Sequence, residues 1–245
     1  MIKTLDDFQR EMEIIGKQGW IRTHRSGPTG IGKTLEDLLG IEENNASEPD
    51  FGAYELKAAR DTDSSMLTLF TKSPQPPRVN SYLLNEYGYQ SDNYECDKKV
   101  LHSTLSVNSP SRIASTGKTL VVACTEDRIV LVGNDGYQNT DEAYWEREKL
   151  RQAFNRKYKH TLVYVKAKSR GVGRDEEFLF YEAYELSGFD YDGLMDLLRD
   201  GVVKIDIRIG QYSDGRAHDH GTGFRIHPQY FDKLFRNKTL IWSRQ

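Results

Sequence analysis

In Pro49-Asp50-Phe51-Gly52-Ala53-Tyr54-Glu55-Leu56-Lys57, a carboxylate stands at a turn and a Glu-x-Lys triplet follows it. Strand side chains alternate between faces, so Glu55 and Lys57 leave a strand on the same side. Asp50 and Glu55 can then share a divalent metal. Two hard carboxylates hold Mg²⁺ with room left for water and phosphate oxygens, while Lys57 can orient or deprotonate an attacking water and offset charge on a phosphorane. A plain amphipathic edge strand, with Tyr54 and Leu56 inward and Glu55 and Lys57 solvated, has the same letters. The surroundings must decide between the two.

With 245 residues, 37% of them hydrophobic and 29% charged, the chain has material for one large domain or a tight pair of lobes. No apolar run approaches the roughly 20 residues that span a bilayer, so no membrane association is expected. The start, Met1 to Asp7, lacks the apolar core of a signal peptide, and Cys96 and Cys124 are the only cysteines. A cytoplasmic protein with free thiols is expected. The net charge of −3 argues against indiscriminate polyanion binding, yet Arg147 to Arg174 holds ten Lys/Arg against the single acidic Glu148.

Thr4 can cap a helix with Leu5, Phe8, Met12 and Ile15 on one side. Gly27-Pro28-Thr29-Gly30-Ile31-Gly32-Lys33-Thr34 then matches the nucleotide-binding P-loop pattern, but polar Ile21–Ser26 precedes it where that loop needs a buried strand. Nucleotide hydrolysis is the weaker reading. The glycines still open a helix with apolar 35, 38 and 39, and their N–H groups with Lys33, Arg22 and Arg25 suit a nucleic-acid phosphate. Glu36 can point from that helix toward Asp50. Ser65–Lys72 reads as a strand paired with the Tyr54–Lys57 strand in a hairpin, which would bring Lys72 near the carboxylates.

From Val79 to Ser115 the chain is polar and weakly periodic, with a short helix at 81–87 and no assignable chemistry. Thr119–Cys124 and Arg128–Val132 read as strands across a tight turn. Asn139–Glu142 is expected to start a helix with Ala143, Leu150, Phe154 and Tyr158 as its stripe. Strands follow at Thr161–Ala167 and Glu177–Glu185 around a basic Lys166–Arg174 loop, then a helix at Gly188–Arg199. In Val202–Ile209 apolar 203, 205, 207 and 209 alternate with polar 204, 206 and 208, which puts Asp206 and Arg208 on one face away from the core. Arg208 and Arg225 can fork to guanine O6 and N7, Asp206 can accept from a cytosine amino group, and His218 and His220 can donate to guanine or phosphate. Loss of Asp206, Arg208 or Arg225 is not expected to unfold the protein. His218-Asp219-His220 also permits a metal cluster, or a structural loop with Asp219 capping a turn.

Gly30–Leu39, Pro49-Asp50 with Glu55-Leu56-Lys57, Leu67–Pro74, Asp206–Gly210 and His218–Ile226 occur in one order. Together they resemble the MvaI/BcnI restriction endonucleases, relatives of the mismatch-repair nickase MutH. The resemblance is weakest from about 79 to 174. It implies an α/β PD-(D/E)xK fold, a mixed sheet flanked by helices in two lobes around a DNA cleft. An approximate catalytic lobe would span 1–115 and a recognition lobe 116–245, with strands that can return to the catalytic sheet. By the same resemblance Asp50, Glu55, Lys57 and Glu36 are catalytic. Asp50, Glu55 and the Leu56 carbonyl are expected to hold Mg²⁺, for which Mn²⁺ can substitute, and with the residue reading above Lys33, Lys72, Asp206, Arg208, His218, His220 and Arg225 are expected to meet DNA. The implied activity is that of a monomeric type II enzyme cutting double-stranded DNA at a CC-N-GG-type site and leaving 5′-phosphate ends. A cognate methyltransferase would be its genetic rather than physical partner. A MutH-like nickase, a P-loop nucleotide-binding protein and a non-catalytic DNA-binding protein are the alternatives.

Overall fold

Thr4 begins α1 (Leu5–Lys17) with a capping box: its side chain accepts the Asp7 N–H while the Asp7 carboxylate accepts the Thr4 N–H. Phe8, Met12 and Ile15 then fall on the buried side at helical spacing, as the sequence predicts. The structure is a computed structural model and describes residues 2–41, 49–61, 66–91, 98–113, 115–134 and 143–244.

After α1 come β1 (Ile21–Arg22), α2 (Gly30–Leu39), β2 (Tyr54–Arg60), β3 (Leu67–Thr71) and α3 (Val79–Tyr87). Then follow β4 (Tyr89–Gln90), β5 (Lys99–Leu105), β6 (Ser111–Arg112), β7 (Thr119–Cys124), β8 (Arg128–Asn134), β9 (Ala143–Glu146) and α4 (Arg147–Lys157). The chain closes with β10 (Thr161–Arg170), β11 (Glu177–Phe189), α5 (Tyr191–Arg199), β12 (Lys204–Gln211), β13 (Ala217–Asp219), β14 (Gly223–Ile226) and β15 (Phe235–Ser243).

These elements gather into two units that interleave along the chain, one of residues 1–67, 158–190 and 227–245, the other of 68–157 and 191–226. Residues 68–115, expected with the catalytic lobe, therefore belong to the second unit, and 158–190 and 227–245, expected with the recognition lobe, belong to the first.

In the first unit the strand order is β1-β11-β10-β2, with β15 also on β11. β2 runs parallel to β10 and the other pairs are antiparallel. Leu56 of β2, Val163 and Val165 of β10, and Phe178 and Phe180 of β11 join Phe8, Met12, Leu35 and Leu39 in one core. Thus α1 and α2 cover the face that carries Leu56, and the face carrying Glu55 and Lys57 is the other one. Each of these large apolar side chains contributes about 1.5–3 kcal/mol by leaving water.

The second unit holds two sheets, β3-β14-β12-β5-β4 with β13 on β12, and β6-β7-β8-β9. Val203, Ile205, Ile207 and Ile209 are fully buried, as their alternation predicts. Phe224 stacks on Phe70 with centroids 4.7 Å apart and meets Trp145 edge-on at 5.8 Å.

Several sequence expectations change. The 54–72 hairpin does not form: β2 takes β10 as its parallel neighbour, while β3 joins the second unit's sheet. Its consecutive Leu69 and Phe70 are both buried, which suits a strand enclosed on two sides better than half of an amphipathic hairpin. Ala143–Glu146 is strand, with Ala143 and Trp145 inward against β8, so α4 starts only at Arg147; the expected start at 139–142 lies outside the described residues. β10 runs on to Arg170 and β11 to Phe189, shortening the basic loop and delaying α5 to Tyr191. Beyond the expected short helix, the 79–115 region also supplies β4, β5 and β6.

Candidate active site and base-reading face

Gly52 makes the turn that brings Asp50 onto β2. It holds φ +52°, and a Cβ there would lie 2.6 Å from the Lys3 carbonyl oxygen, so any other residue would be both strained and crowded. Beyond the turn, Asp50 Oδ2 accepts the Leu56 N–H at 2.6 Å. Among the described residues β2 is the last strand of its sheet. A strand residue projects its N–H and C=O to the same side, so a Leu56 N–H given to Asp50 sets the Leu56 carbonyl on that same free edge. Glu55 and Lys57 flank Leu56, half-buried, on the face away from α1 and α2. Asp50, Glu55 and the Leu56 carbonyl could supply hard oxygen donors, which suit Mg²⁺ rather than a thiophilic metal. Among the described residues the bond from the Leu56 N–H engages only Oδ2 of Asp50.

Neighbouring hydroxyls report the local charge. Burial, reinforced by the Glu55 charge, pushes the Tyr158 hydroxyl far above its ordinary range, and burial together with the charge and hydrogen bond of Glu185 raises Tyr54. Both phenols stay neutral beside the carboxylates. Glu36 is half-buried on α2, and its Oε1 turns back toward Gly32, 4.0 Å from where a Cβ would stand. Its carboxylate thus lies along the first turns of the helix that packs on the Leu56 face.

The glycine-rich loop is not built as a nucleotide cradle. Arg60 donates from Nη1 to the Pro28 carbonyl and from Nη2 to the Gly27 carbonyl, both at 3.2 Å, while a bidentate pair with buried Glu176 at 2.6 and 2.8 Å fixes its guanidinium. The Thr34 hydroxyl, which would serve a metal in a P-loop, donates to the Gly30 carbonyl and accepts the His24 N–H. Lys33 Nζ pairs with Asp37 at 2.8 Å, and that pair holds the Asp37 carboxyl below its usual range. The lead-in strand is only the two residues of β1.

In the second unit, Asp206 is fully buried rather than facing outward. Its Oδ1 accepts the Thr104 hydroxyl at 2.8 Å, and its Oδ2 takes Arg208 Nε and Arg225 Nη2, both at 2.9 Å. With no exposed surface and three donors on its two oxygens, Asp206 holds the two arginines rather than facing a base. Binding Arg208 through Nε leaves its two terminal nitrogens as a fork, and the Arg225 Nε is buried without a partner among the described residues.

His220 and His218 complete the patch. A Cβ on Gly210 would come within 2.7 Å of His220 Nε2, so only glycine lets that ring lie over β12. The two imidazoles meet edge-on at 4.3 Å, and Tyr212 lies 4.5 Å from His218. Asp219 is the structural loop tie: Oδ1 accepts the Gly221 and Thr222 N–H groups, and Oδ2 accepts Ser73 and Asn80. Those bonds commit it, and among the described residues no group of three His, Cys, Asp or Glu is poised for a metal. Lys72 belongs to this unit as well, its N–H given to the Thr222 carbonyl and its carbonyl accepting from Trp145; with Lys149 it lines a cleft of about 550 Å³.

A model of the MvaI/BcnI restriction endonuclease family matches residues 10–235. The chain belongs to that family. It is 30% identical to the chain in a solved restriction endonuclease MvaI–cognate DNA substrate complex, covering 99% of this chain and 100% of that one with a TM-score of 0.80. MvaI in the absence of DNA matches at the same identity, 99% of each chain and a TM-score of 0.62. No curated protein matches. The α/β fold and the class of activity, a site-specific DNA nuclease that depends on divalent metal, follow from that membership. Among the described residues no helix is long and apolar enough to cross a membrane.

Sequence reading missed His102 and Thr104 of β5, which border Arg208 and Asp206. Their only sequence signal was polar residues between apolar Val100, Leu101 and Leu105, and it has no meaning until the strands are paired.

Proposed function

We propose that this chain is a type II restriction endonuclease that hydrolyses double-stranded DNA at a short CC-N-GG-type site, with Mg²⁺ held by Asp50, Glu55 and the Leu56 carbonyl. The observation that carries the reading is the Asp50–Leu56 hydrogen bond, which sets a carboxylate and a main-chain oxygen on one free strand edge beside Glu55 and Lys57. When bound, the divalent ion would supply Lewis-acid charge at the scissile phosphate. Lys57, an ammonium on the same face as Glu55, orients the attacking water and offsets charge that builds on the phosphoryl oxygens. In-line attack then leaves a 5′-phosphate and a 3′-hydroxyl. Glu36 completes the acidic surroundings.

Arg208 and Arg225, steadied by one buried carboxylate, read guanines, while His218 and His220 supply donors beside them. Lys33 and Lys72 contact phosphates. The solved MvaI complex contains cognate DNA, which supports DNA as this chain's ligand. The protein acts as a cytoplasmic monomer paired genetically with a methyltransferase. Incubating purified protein with a plasmid of known sequence in Mg²⁺ or Ca²⁺ and sequencing the ends tests the reading. Double-strand breaks at one repeated site in Mg²⁺ alone are expected. Persistent nicks would favour a MutH-like nickase, and no cutting would leave a DNA-binding protein.

A further inference from the structure

The base-reading face does not stop at β12. Its neighbour β5 pairs antiparallel in a register that sets Thr104 opposite Asp206 and His102 opposite Arg208. Directly opposed strand residues share a face, so His102 stands beside Arg208 as Thr104 stands beside Asp206. On the other flank, the His220 N–H is given to the Arg208 carbonyl at 2.8 Å. The Arg208 side chain therefore rises between two imidazoles, one from β5 and one from the bend that follows β13.

Chemistry distinguishes the two sides of that row. With Asp206 buried and committed to Thr104, Arg208 and Arg225, the arginine pair presents donors only. A protein that also reads the cytosine or adenine edge of a pair does so through an acceptor for its exocyclic amino group. A neutral imidazole can accept at one ring nitrogen and donate at the other. Burial, with the Arg208 and His220 charges adding and only Asp206 opposing, pulls the His102 imidazole below its usual range, so it is neutral at pH 7. Space is present too: His102 and Thr104 line a polar cleft of about 580 Å³ with Tyr89, Gln90, Ser111 and Arg112, which opens the face toward β4 and β6.

We infer that His102 is a specificity-determining residue, its imidazole meeting the edge of the base next to the one that Arg208 reads. The inference rests on the proposed reading of Arg208 as a base contact. Asp206 was expected to be the acceptor, and His102 takes that place on the same face. The chain segment from 79 to 115, to which sequence reading gave no chemistry, thereby contributes to recognition through β5.

Equilibrium binding of full-length protein in Ca²⁺, which blocks cutting, tests this with duplexes carrying the mapped site, each single base-pair change of it, and an unrelated duplex. His102→Ala is expected to lower the ratio of specific to unrelated binding ten- to a hundredfold, the loss being confined to one base pair and its symmetry mate. Affinity for the unrelated duplex is expected to stay at the wild-type value. His102→Gln, whose amide suits adenine, is expected to shift preference at that position toward A·T. Equal losses on all duplexes would make His102 a phosphate contact and overturn the inference, as would an unchanged ratio. Should His102→Ala fail to fold, an unchanged preference pattern in His102→Gln overturns it alone. Arg208→Ala in parallel separates the two claims: a ratio lost there but kept in His102→Ala sinks only this inference. A ratio kept in Arg208→Ala but lost in His102→Ala supports His102 and sinks the reading of Arg208.

Discussion

Asp50 reaches its place through a turn and one hydrogen bond to an N–H six residues away, whereas Asp206 is surrounded by groups from β5, β12 and β14, its Thr104 partner 102 residues distant in sequence. Asp50 is half-buried and, among the described residues, bonded through Oδ2 alone; Asp206 is fully buried and bonded through both oxygens. A carboxylate that is to bind a cation from solution needs the first arrangement. One that is to fix the directions of two guanidiniums needs the second, because the low dielectric around it strengthens every hydrogen bond it accepts. The same residue type, in the turn before β2 and on β12, thus acquires opposite tasks from what flanks it.

The largest expected effect separates these tasks. Asp50→Ala should bring plasmid cleavage to background while specific binding, measured without metal, is spared or tightened, since one negative charge near the scissile phosphate is gone. Retained cleavage would break the assignment of the strand edge. Asp206→Ala should act on stability instead. Removing one partner of a buried ion pair costs about 3–5 kcal/mol, and the value here should fall near about 3 because the Arg208 side chain is 39% exposed and that of Arg225 29%, so both recover water. Urea denaturation checks this, and an unchanged midpoint would show that the carboxylate is not what steadies the pair. This replaces the sequence expectation that loss of any of the three polar residues leaves the fold intact.

A smaller effect comes from Arg208→Ala or Arg225→Ala. A bidentate arginine–guanine contact is worth roughly 1–3 kcal/mol of discrimination, so specific binding should fall about ten- to a hundredfold with unrelated DNA little affected. If both affinities fell together, the arginines would be phosphate clamps. The smallest is Lys33→Ala, which should weaken binding evenly across sequences and lower the salt slope by roughly one. Its pairing with Asp37 already offsets part of its charge. ATP should not bind; measurable hydrolysis by pure protein would overturn the description of the glycine loop.

Legibility followed the same division. The Asp50–Lys57 unit could be read because its geometry is local: a glycine turn, strand alternation and one short hydrogen bond. The apolar side of β12 was equally plain, since alternation states which residues are inward. Alternation alone placed Asp206 outward, because it says nothing of what the flanking strands lay over the polar face. His102 is invisible for the same reason, and β3 pairs with β14 rather than β2 because closeness in sequence does not dictate pairing. The glycine loop misled in the other direction. Eight letters fitted a phosphate cradle, but Arg60 and Glu176, 116 residues apart, draw its carbonyls onto a cation.

The outer edge of β2, which no other strand pairs among the described residues, also bears on solubility. An unpaired strand edge is a template on which another chain can add a strand, and proteins blunt such edges with charge. Here the Asp50 carboxylate caps the Leu56 N–H that an incoming strand would need, and Glu55 and Lys57 put opposite charges on either side of it. The groups proposed to cut DNA thereby also guard the chain against self-association, and Asp50→Ala, by uncovering that N–H, should aggregate at lower concentration than Asp50→Asn, whose amide oxygen can still accept it.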